Sequence, residues 1–240
     1  MSTPEKTAEA KKVYPPLVAL PQCPHTTKPP SPKDYGSTVT VIVGEGDDCA
    51  TFHVYEGLLK HYSSYFRGAL SGNWSEGRVG PVELPEDDPE TFAVFFHFLY
   101  TGKLYSDLKE NGTVPMSPHK ILEVYIFGDA RGIPELCNAT IDLLFQTLLQ
   151  LWAFPANKLS LIYDNTPSNS MLRKFLVLDA VCSFGFDVLE SENHLLPIEF
   201  LREVILLGRD RNMVAGIGIE KSDWVRIFKE SRCEFHTQHA

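Results

Sequence analysis

The sequence predicts an α+β fold in which a small β-sheet is flanked by a cluster of short helices and followed by a helical C-terminal extension. The first observation is a β-branched run, Thr38-Val39-Thr40-Val41-Ile42-Val43, that ends at the turn sequence Gly44-Glu45-Gly46-Asp47-Asp48. The second is that the apolar residues after this region recur mainly with helical spacing. A hydrophobic content of 43% in 240 residues is typical of globular proteins and excludes a wholly disordered or fibrous chain.

The individual elements follow in order from residue 35. Residues 38–43 and 50–54 predict a β-hairpin, and residues 79–84 predict a third strand, which we place at an edge because it contains Pro81. Asp88-Pro89-Glu90 predicts a helix start, since Asp caps the first turn and Pro suits its first position. The other predicted helices are two short ones around Leu58 and after Ser63, then 118–131, one from Pro134, 157–163, 171–184, 197–207 and 224–228.

Proline and polar composition predict the domain limits. Residues 1–33 contain eight of the seventeen prolines, and proline lacks a backbone donor and fixes φ, so we predict a disordered Pro-rich arm there. Residues 34–150 form the main predicted domain, and residues 151–215 form the helical extension. Residues 216–240 are predicted to be a polar C-terminal tail.

Charge and cysteine usage restrict the class of partner and the compartment. The net charge is −9, and residues 34–150 hold seven Lys and Arg against seventeen Asp and Glu, which disfavours direct contact with nucleic acid. No apolar run approaches the roughly 18 residues of a membrane span, and the polar first twelve residues lack a secretory signal pattern. Five scattered cysteines then predict reduced thiols and an intracellular protein, cytoplasmic, nuclear or both.

Six segments carry a combined pattern over roughly residues 34–150. They are Ser37-Thr38-Val39-Thr40-Val41-Ile42-Val43-Gly44, Phe52-His53-Val54-Tyr55-Glu56-Gly57-Leu58-Leu59, Ser64-Tyr65-Phe66-Arg67-Gly68-Ala69-Leu70, Glu83-Leu84-Pro85-Glu86-Asp87-Asp88-Pro89, Phe98-Leu99-Tyr100-Thr101-Gly102 and Gly128-Asp129-Ala130-Arg131-Gly132-Ile133-Pro134-Glu135-Leu136. In this order and spacing they resemble the BTB/POZ domain. With a Pro-rich front and no kelch repeats or zinc fingers, the chain resembles the short stand-alone BTB proteins of filamentous fungi.

The resemblance implies a non-catalytic protein–protein interaction module, or scaffold, that self-associates as a homodimer. In this family the first strand and first helix supply much of the dimer surface. Carried onto this sequence, that surface comprises Val39, Val41, Val43, Leu58, Leu59 and Tyr62. Thr38 stands where the family commonly has an Asp that contributes to a charged interface pocket, so the resemblance does not extend to that pocket.

An alternative implied by the resemblance is a substrate adaptor of a cullin-type ubiquitin ligase. In such adaptors a hydrophobic residue, followed two positions later by an acid, lies in the loop after the Tyr-Thr-Gly helix end. Counting forward from Gly102 gives Leu108 and Glu110 as the cullin contact. Counting back from Asp129 gives Lys120-Ile121-Leu122, which contains no acid. The two counts disagree because the loop of residues 103–117 is long. The sequence leaves both counts open.

Other chemistry is weakly supported by the sequence. Gly44-Glu45-Gly46 after a strand suggests, as a remote alternative, a nucleotide-binding α/β enzyme, but Cys49 replaces the third glycine and a strand follows, which favours a hairpin turn. Cys233, His236 and His239 are three residues apart but lack a fourth metal ligand. We therefore expect no catalytic residue, no cofactor and no metal. The expected partners are a second copy and unidentified proteins, with a cullin in the alternative, and neither nucleic acid nor a membrane.

Overall fold

A three-stranded mixed sheet lies at one end of the structure, a computed structural model that describes residues 13–24, 28–70, 80–183, 193–213 and 218–237. The central strand β1 (Thr38–Val43) pairs antiparallel with β2 (Ala50–Tyr55) and parallel with β3 (Val82–Leu84). The hairpin and the edge position of the third strand are therefore confirmed.

The strands alternate between a buried and an outer face because successive side chains point to opposite sides. Val41 and Val43 are fully buried, and Val41 lies opposite Phe52 in the register of the hairpin. Thr40 and His53 face the other side, where Thr40 Oγ1 lies 3.3 Å from His53 Nδ1. One face of the sheet thus packs on the helices and the other faces outward.

Helices account for most of the remaining described residues, and the longer predicted helices are confirmed with ends shifted by a few residues. Their bounds are α1 (Glu56–Tyr62), α2 (Ser64–Ala69), α3 (Pro89–Thr101), α4 (Pro118–Ala130), α5 (Pro134–Leu151), α6 (Leu159–Asn165), α7 (Met171–Ser183), α8 (Ile198–Asp210) and α9 (Lys221–Ser231).

Helix α3 joins the sheet to the helical part of the core. Asp88 Oδ2 accepts a hydrogen bond from the backbone N–H of Thr91 at 2.8 Å, which caps the helix as predicted. Gly102 ends it in the left-handed conformation at φ 67°. Between these ends, the ring of Phe92 lies 4.7 Å from that of Phe52, and the ring of Phe95 lies 5.5 Å from that of Phe127.

The turn between α1 and α2 is bonded directly to the turn between α4 and α5. Ser63 Oγ caps α2 through Phe66 N at 3.1 Å and donates to the carbonyl oxygen of Arg131 at 2.6 Å. The backbone N–H of Ser64 donates to the carbonyl of Gly132 at 3.0 Å. Gly132 has φ +57°, and a Cβ there would lie 2.0 Å from Ser64 Oγ, so the close approach requires glycine.

The helical extension shares its core with the first half of the chain. The hydroxyl of Tyr125 on α4 accepts a hydrogen bond from Leu172 N on α7 at 3.2 Å. Phe145 on α5 stacks on Phe228 of α9 with ring centroids 3.8 Å apart. The buried apolar residues form one continuous cluster from Val41 to Phe235, so the predicted boundary at residue 150 divides a single core.

The described part of the N-terminal arm lies against α5 and differs from the predicted disordered arm. The backbone of Val18 donates to Gln146 Oε1 at 2.9 Å and accepts from Gln146 Nε2 at 2.7 Å. Gln150 Nε2 donates to the carbonyl of Pro15 at 2.9 Å. Proline prevents the arm from joining a helix or ladder, but two side-chain amides of α5 satisfy its backbone instead.

The predicted polar C-terminal tail likewise contains ordered structure within its described residues. Helix α9 buries Trp224 and Phe228, and Phe235 beyond it is 4% exposed. These aromatic residues pack on Phe175 of α7. The apolar positions are few, but they recur at i and i+4 on one side of a short helix. The segment was predicted to be a tail because its average hydrophobicity is low, and an average does not reveal this spacing.

Two helical glycines provide a test of this packing. A Cβ on Gly57 would lie 1.9 Å from the carbonyl oxygen of Asp34, whereas a Cβ on the exposed Gly68 would meet nothing within 4 Å. We expect Gly57→Ala to lower the free energy of unfolding by about 2 kcal/mol or more through overpacking. Gly68→Ala should raise it by about 0.5–1 kcal/mol, because alanine favours the helix. Urea unfolding followed by circular dichroism measures both, and a stabilised Gly57→Ala variant would contradict the described approach of the chain.

The buried Asp179 gives a pH-dependent prediction. Burial raises the pKa of this carboxyl to about 7 although Ser183 donates a hydrogen bond to it, and among the described residues Oδ2 has no hydrogen-bond partner. The unfolded chain loses this proton near pH 4, so the folded state binds more protons between pH 4 and 7 and stability falls as the pH rises. Asp179→Asn should therefore stabilise the protein by roughly 4 kcal/mol at pH 8 and by little at pH 4. The exposed Asp164→Asn is the control, and an equal effect of Asp179→Asn at both pH values in urea titrations would refute the argument.

Candidate protein-interaction surfaces

The six residues predicted for a dimer surface are mainly core residues of one subunit. Val41, Val43 and Leu59 are 0% exposed, Leu58 is 1% exposed and Tyr62 is 9% exposed. Only Val39 is half-buried, and it lines a cavity of about 510 Å³ beside β1. Five of the six predicted side chains are therefore buried within one subunit, and their role at a dimer surface stays a prediction.

The opposite side of the hairpin is available for contact. We call it the outer sheet face, and it consists of Thr38, Thr40, Ile42, Thr51, His53 and Tyr55. These six side chains are exposed or half-buried, and none of them belongs to Asp, Glu, Lys or Arg. This composition contrasts with the strongly acidic residues 34–150 around it.

Aromatic side chains extend the outer sheet face toward α3. The rings of Tyr35 and Tyr55 are 5.3 Å apart, and the rings of Tyr55 and Tyr100 are 6.4 Å apart. Tyr55 is 37% exposed and Tyr100 is 41% exposed. Tyrosines that are partly exposed and held by neighbouring rings bind partners at low entropic cost, since little side-chain freedom remains to be lost.

The loop predicted to contact a cullin is anchored at both ends and exposes its middle. Leu104 and Val114 are buried, whereas Leu108 is 39% exposed and Glu110 is exposed. Asn111 Oδ1 accepts hydrogen bonds from the backbone and hydroxyl of Thr113 at 3.1 and 2.7 Å. The structure therefore presents Leu108 and Glu110 together on an ordered turn.

Two ion-pair groups flank the start of α3. Lys120 Nζ lies 2.8 Å from Asp88 Oδ2 and 2.8 Å from Glu123 Oε2, and Arg131 pairs with Asp87. Burial raises the pKa of the Asp88 carboxyl, but the hydrogen bonds from Lys120 and Thr91 outweigh it and lower the pKa to about 2. These acids hold α3 against α4 and are already partnered by cations.

Within the described residues, the turn at Gly44–Gly46 does not have the geometry of a nucleotide-binding site, and the tail histidines are not part of a metal-binding group. Gly44 and Gly46 have positive φ in the hairpin turn, and the chain continues through a 3₁₀ turn (Gly46–Asp48) into β2, not into a helix. A pyrophosphate site of the strand–turn–helix kind needs that helix N-terminus. Across the described part of the chain, no three His, Cys, Asp or Glu side chains are grouped to hold a metal ion, and His239 lies outside it.

A polar cluster that the sequence analysis missed joins both ends of the chain to α5. His236 Nε2 lies 3.1 Å from Asp142 Oδ1, and His236 Nδ1 lies 3.3 Å from Cys23 Sγ. Arg232 Nε donates to Asp142 Oδ1 at 2.6 Å. Burial raises the pKa of Asp142, but Arg232 and His236 outweigh it and lower the pKa below its ordinary value. Arg232 and His236 are close in sequence, but Asp142 and Cys23 are far from them, so spacing alone gave no sign of the cluster.

Comparison with protein families identifies the fold. Residues 32–124 match the BTB/POZ domain, from the start of the hairpin region into α4. Residues 32–124 therefore form a BTB/POZ domain, which is a protein–protein interaction module. A search of curated proteins gives no match. Within the described residues, the helices are too short or too polar for any of them to cross a bilayer.

Proposed function

We propose that this protein is a non-catalytic interaction module that forms a homodimer through its outer sheet face and the adjoining tyrosines. The supporting observation is an uncharged, partly aromatic surface within an acidic domain. Near the axis of a two-fold interface each residue faces its own copy, so a charged side chain there would meet an identical charge. A surface without charged side chains avoids this repulsion.

Burial of apolar area would drive the association. Tyr55, Tyr100 and Ile42 offer apolar area that contributes roughly 25 cal/mol per Å² when it is removed from water. A stable dimer of standard size covers about 800 Å² on each subunit. The proposal therefore includes the neighbouring tyrosines, Val39 and the cavity beside it as part of the same interface.

Charge introduced into the outer sheet face tests the homodimer. At micromolar concentration, sedimentation equilibrium of the unmodified protein should give a mass near twice 27.0 kDa. Thr40→Glu places two carboxylates near the two-fold axis and should weaken the dimer at least about tenfold, since unfavourable like-charge contacts cost more than 1.4 kcal/mol.

The matched control is Ser160→Glu, which adds the same charge to an exposed position on α6. It should sediment like the unmodified protein. A strictly monomeric unmodified protein would rule out the homodimer, and equal weakening by both variants would rule out this surface.

A cullin adaptor is the second candidate function that we propose. Exposure of Leu108 next to Glu110 on an anchored loop supports it, because an apolar anchor beside an acid suits a partner with an apolar pocket and a basic rim. Helices α6 to α9 would then serve as an adjoining packing unit, with residues 34–150 as the interaction domain.

Pull-down with the N-terminal region of a cullin tests this second function. We expect retention by the unmodified protein and a loss of about tenfold or more on Leu108→Ala or Glu110→Ala, since truncating an interface anchor costs at least 1–2 kcal/mol. Asp107→Ala, which removes a neighbouring exposed acid, is the control and should retain the cullin. Binding that survives all three substitutions, or no binding by the unmodified protein, contradicts the adaptor function.

A further inference from the structure

Two cysteines from opposite ends of the chain lie side by side. The sulfur atoms of Cys23 and Cys233 are 3.9 Å apart although the residues are 210 positions apart in sequence. Cys23 belongs to the N-terminal arm, and Cys233 lies in the 3₁₀ turn (Arg232–Glu234) that follows α9. A disulfide has its sulfur atoms about 2 Å apart, so the two sulfur atoms have to approach each other by a further ~2 Å to bond.

His236 is positioned as a base for the Cys23 thiol. Its Nε2 faces the carboxylate of Asp142 at 3.1 Å, which leaves Nδ1, 3.3 Å from Cys23 Sγ, to accept the thiol proton. Arg232 binds the same carboxylate and also donates to the carbonyl of Pro21 in the arm. The cluster therefore fixes both the imidazole and the chain segment that carries Cys23.

The cluster adjoins a cavity that is large enough for a small oxidant. Cys23, Asp142 and His236 line a cavity of about 390 Å³ whose other wall includes Tyr62 and Phe98.

The remaining cysteines differ in their surroundings. Burial raises the pKa of the Cys137 thiol well above its ordinary value and that of Cys182 to about 12, while Cys49 is exposed in the hairpin turn.

We propose that Cys23 and Cys233 form a redox-sensitive pair that hydrogen peroxide oxidises to an intramolecular disulfide. His236 first accepts the proton of the Cys23 thiol. The thiolate then attacks a peroxide oxygen, so an S–O bond forms, the O–O bond breaks, and the His236 proton leaves with the departing hydroxide as water. Cys233 next attacks the sulfenic acid of Cys23, the S–S bond forms, and the hydroxyl departs with the Cys233 proton as a second water. Burial, and the contact with Cys23, raise the pKa of Cys233, which suits its role as the second thiol to react.

Peptide mapping after oxidation tests the pair. The full-length protein is treated with hydrogen peroxide, unreacted thiols are blocked with N-ethylmaleimide, and peptides are analysed by mass spectrometry without reductant. We expect the Cys23–Cys233 crosslink as the main product, reversal by dithiothreitol, and a rise in melting temperature of roughly 5 °C or more from the closed loop. The proposal would be overturned if N-ethylmaleimide labelled both Cys23 and Cys233 after the peroxide treatment, which shows unreacted thiols, while Cys49 was oxidised.

Three variants separate the steps. Cys233→Ser should leave a sulfenic acid on Cys23 that dimedone labels, and Cys49→Ser should leave the crosslink unchanged. His236→Gln should slow the oxidation of Cys23 by about tenfold or more, with near-ultraviolet circular dichroism as the check on folding. An unchanged rate in His236→Gln would remove the histidine from the mechanism, and no dimedone label in Cys233→Ser would refute the assigned order of the thiols.

Discussion

The hydrogen bonds between the α1–α2 turn and the α4–α5 turn are the constraint on which the rest of the structure depends. Ser63 and Ser64 contribute a hydroxyl and a backbone N–H, and Arg131 and Gly132 contribute two carbonyl oxygens that would otherwise be unsatisfied at a helix end. The side chain of Ser63 is buried, and an unpaired polar group is expensive there. This junction connects the sheet-bearing half to the helical half and thereby sets the position of α3 between them.

The same junction explains why the exposed surfaces lie where they do. With α1, α3 and α4 on its inner side, the sheet buries Val41 and Val43 and leaves Thr40 and His53 outside. Polar but uncharged strand residues can face either water or another protein without a large desolvation penalty. In contrast, the acids at the start of α3 are held by Lys120 and Arg131, so removing them from water would also remove those ion pairs from water.

Local signals in the sequence predicted the helices and strands well, but they could not predict contacts between residues that are distant in the sequence. The cap at Asp88 and the hairpin turn at Gly44 each depend on neighbours within a few residues, and both were confirmed. The exposed face of β1 was missed because the family pattern names positions and not the direction in which their side chains point. The order of the arm depends on Gln146, and the approach of Cys23 to Cys233 depends on a fold that brings both ends of the chain to α5.

The attachment of the N-terminal arm and of the segment after α9 to α5 has a consequence for how the protein is synthesised. Pro21 in the arm is held by Arg232, which leaves the ribosome more than two hundred residues later. The arm therefore emerges well before part of its docking site exists, while the sheet and its helices already possess most of their own contacts. Residues 13–24 are expected to settle on the fold only after Arg232 has been synthesised.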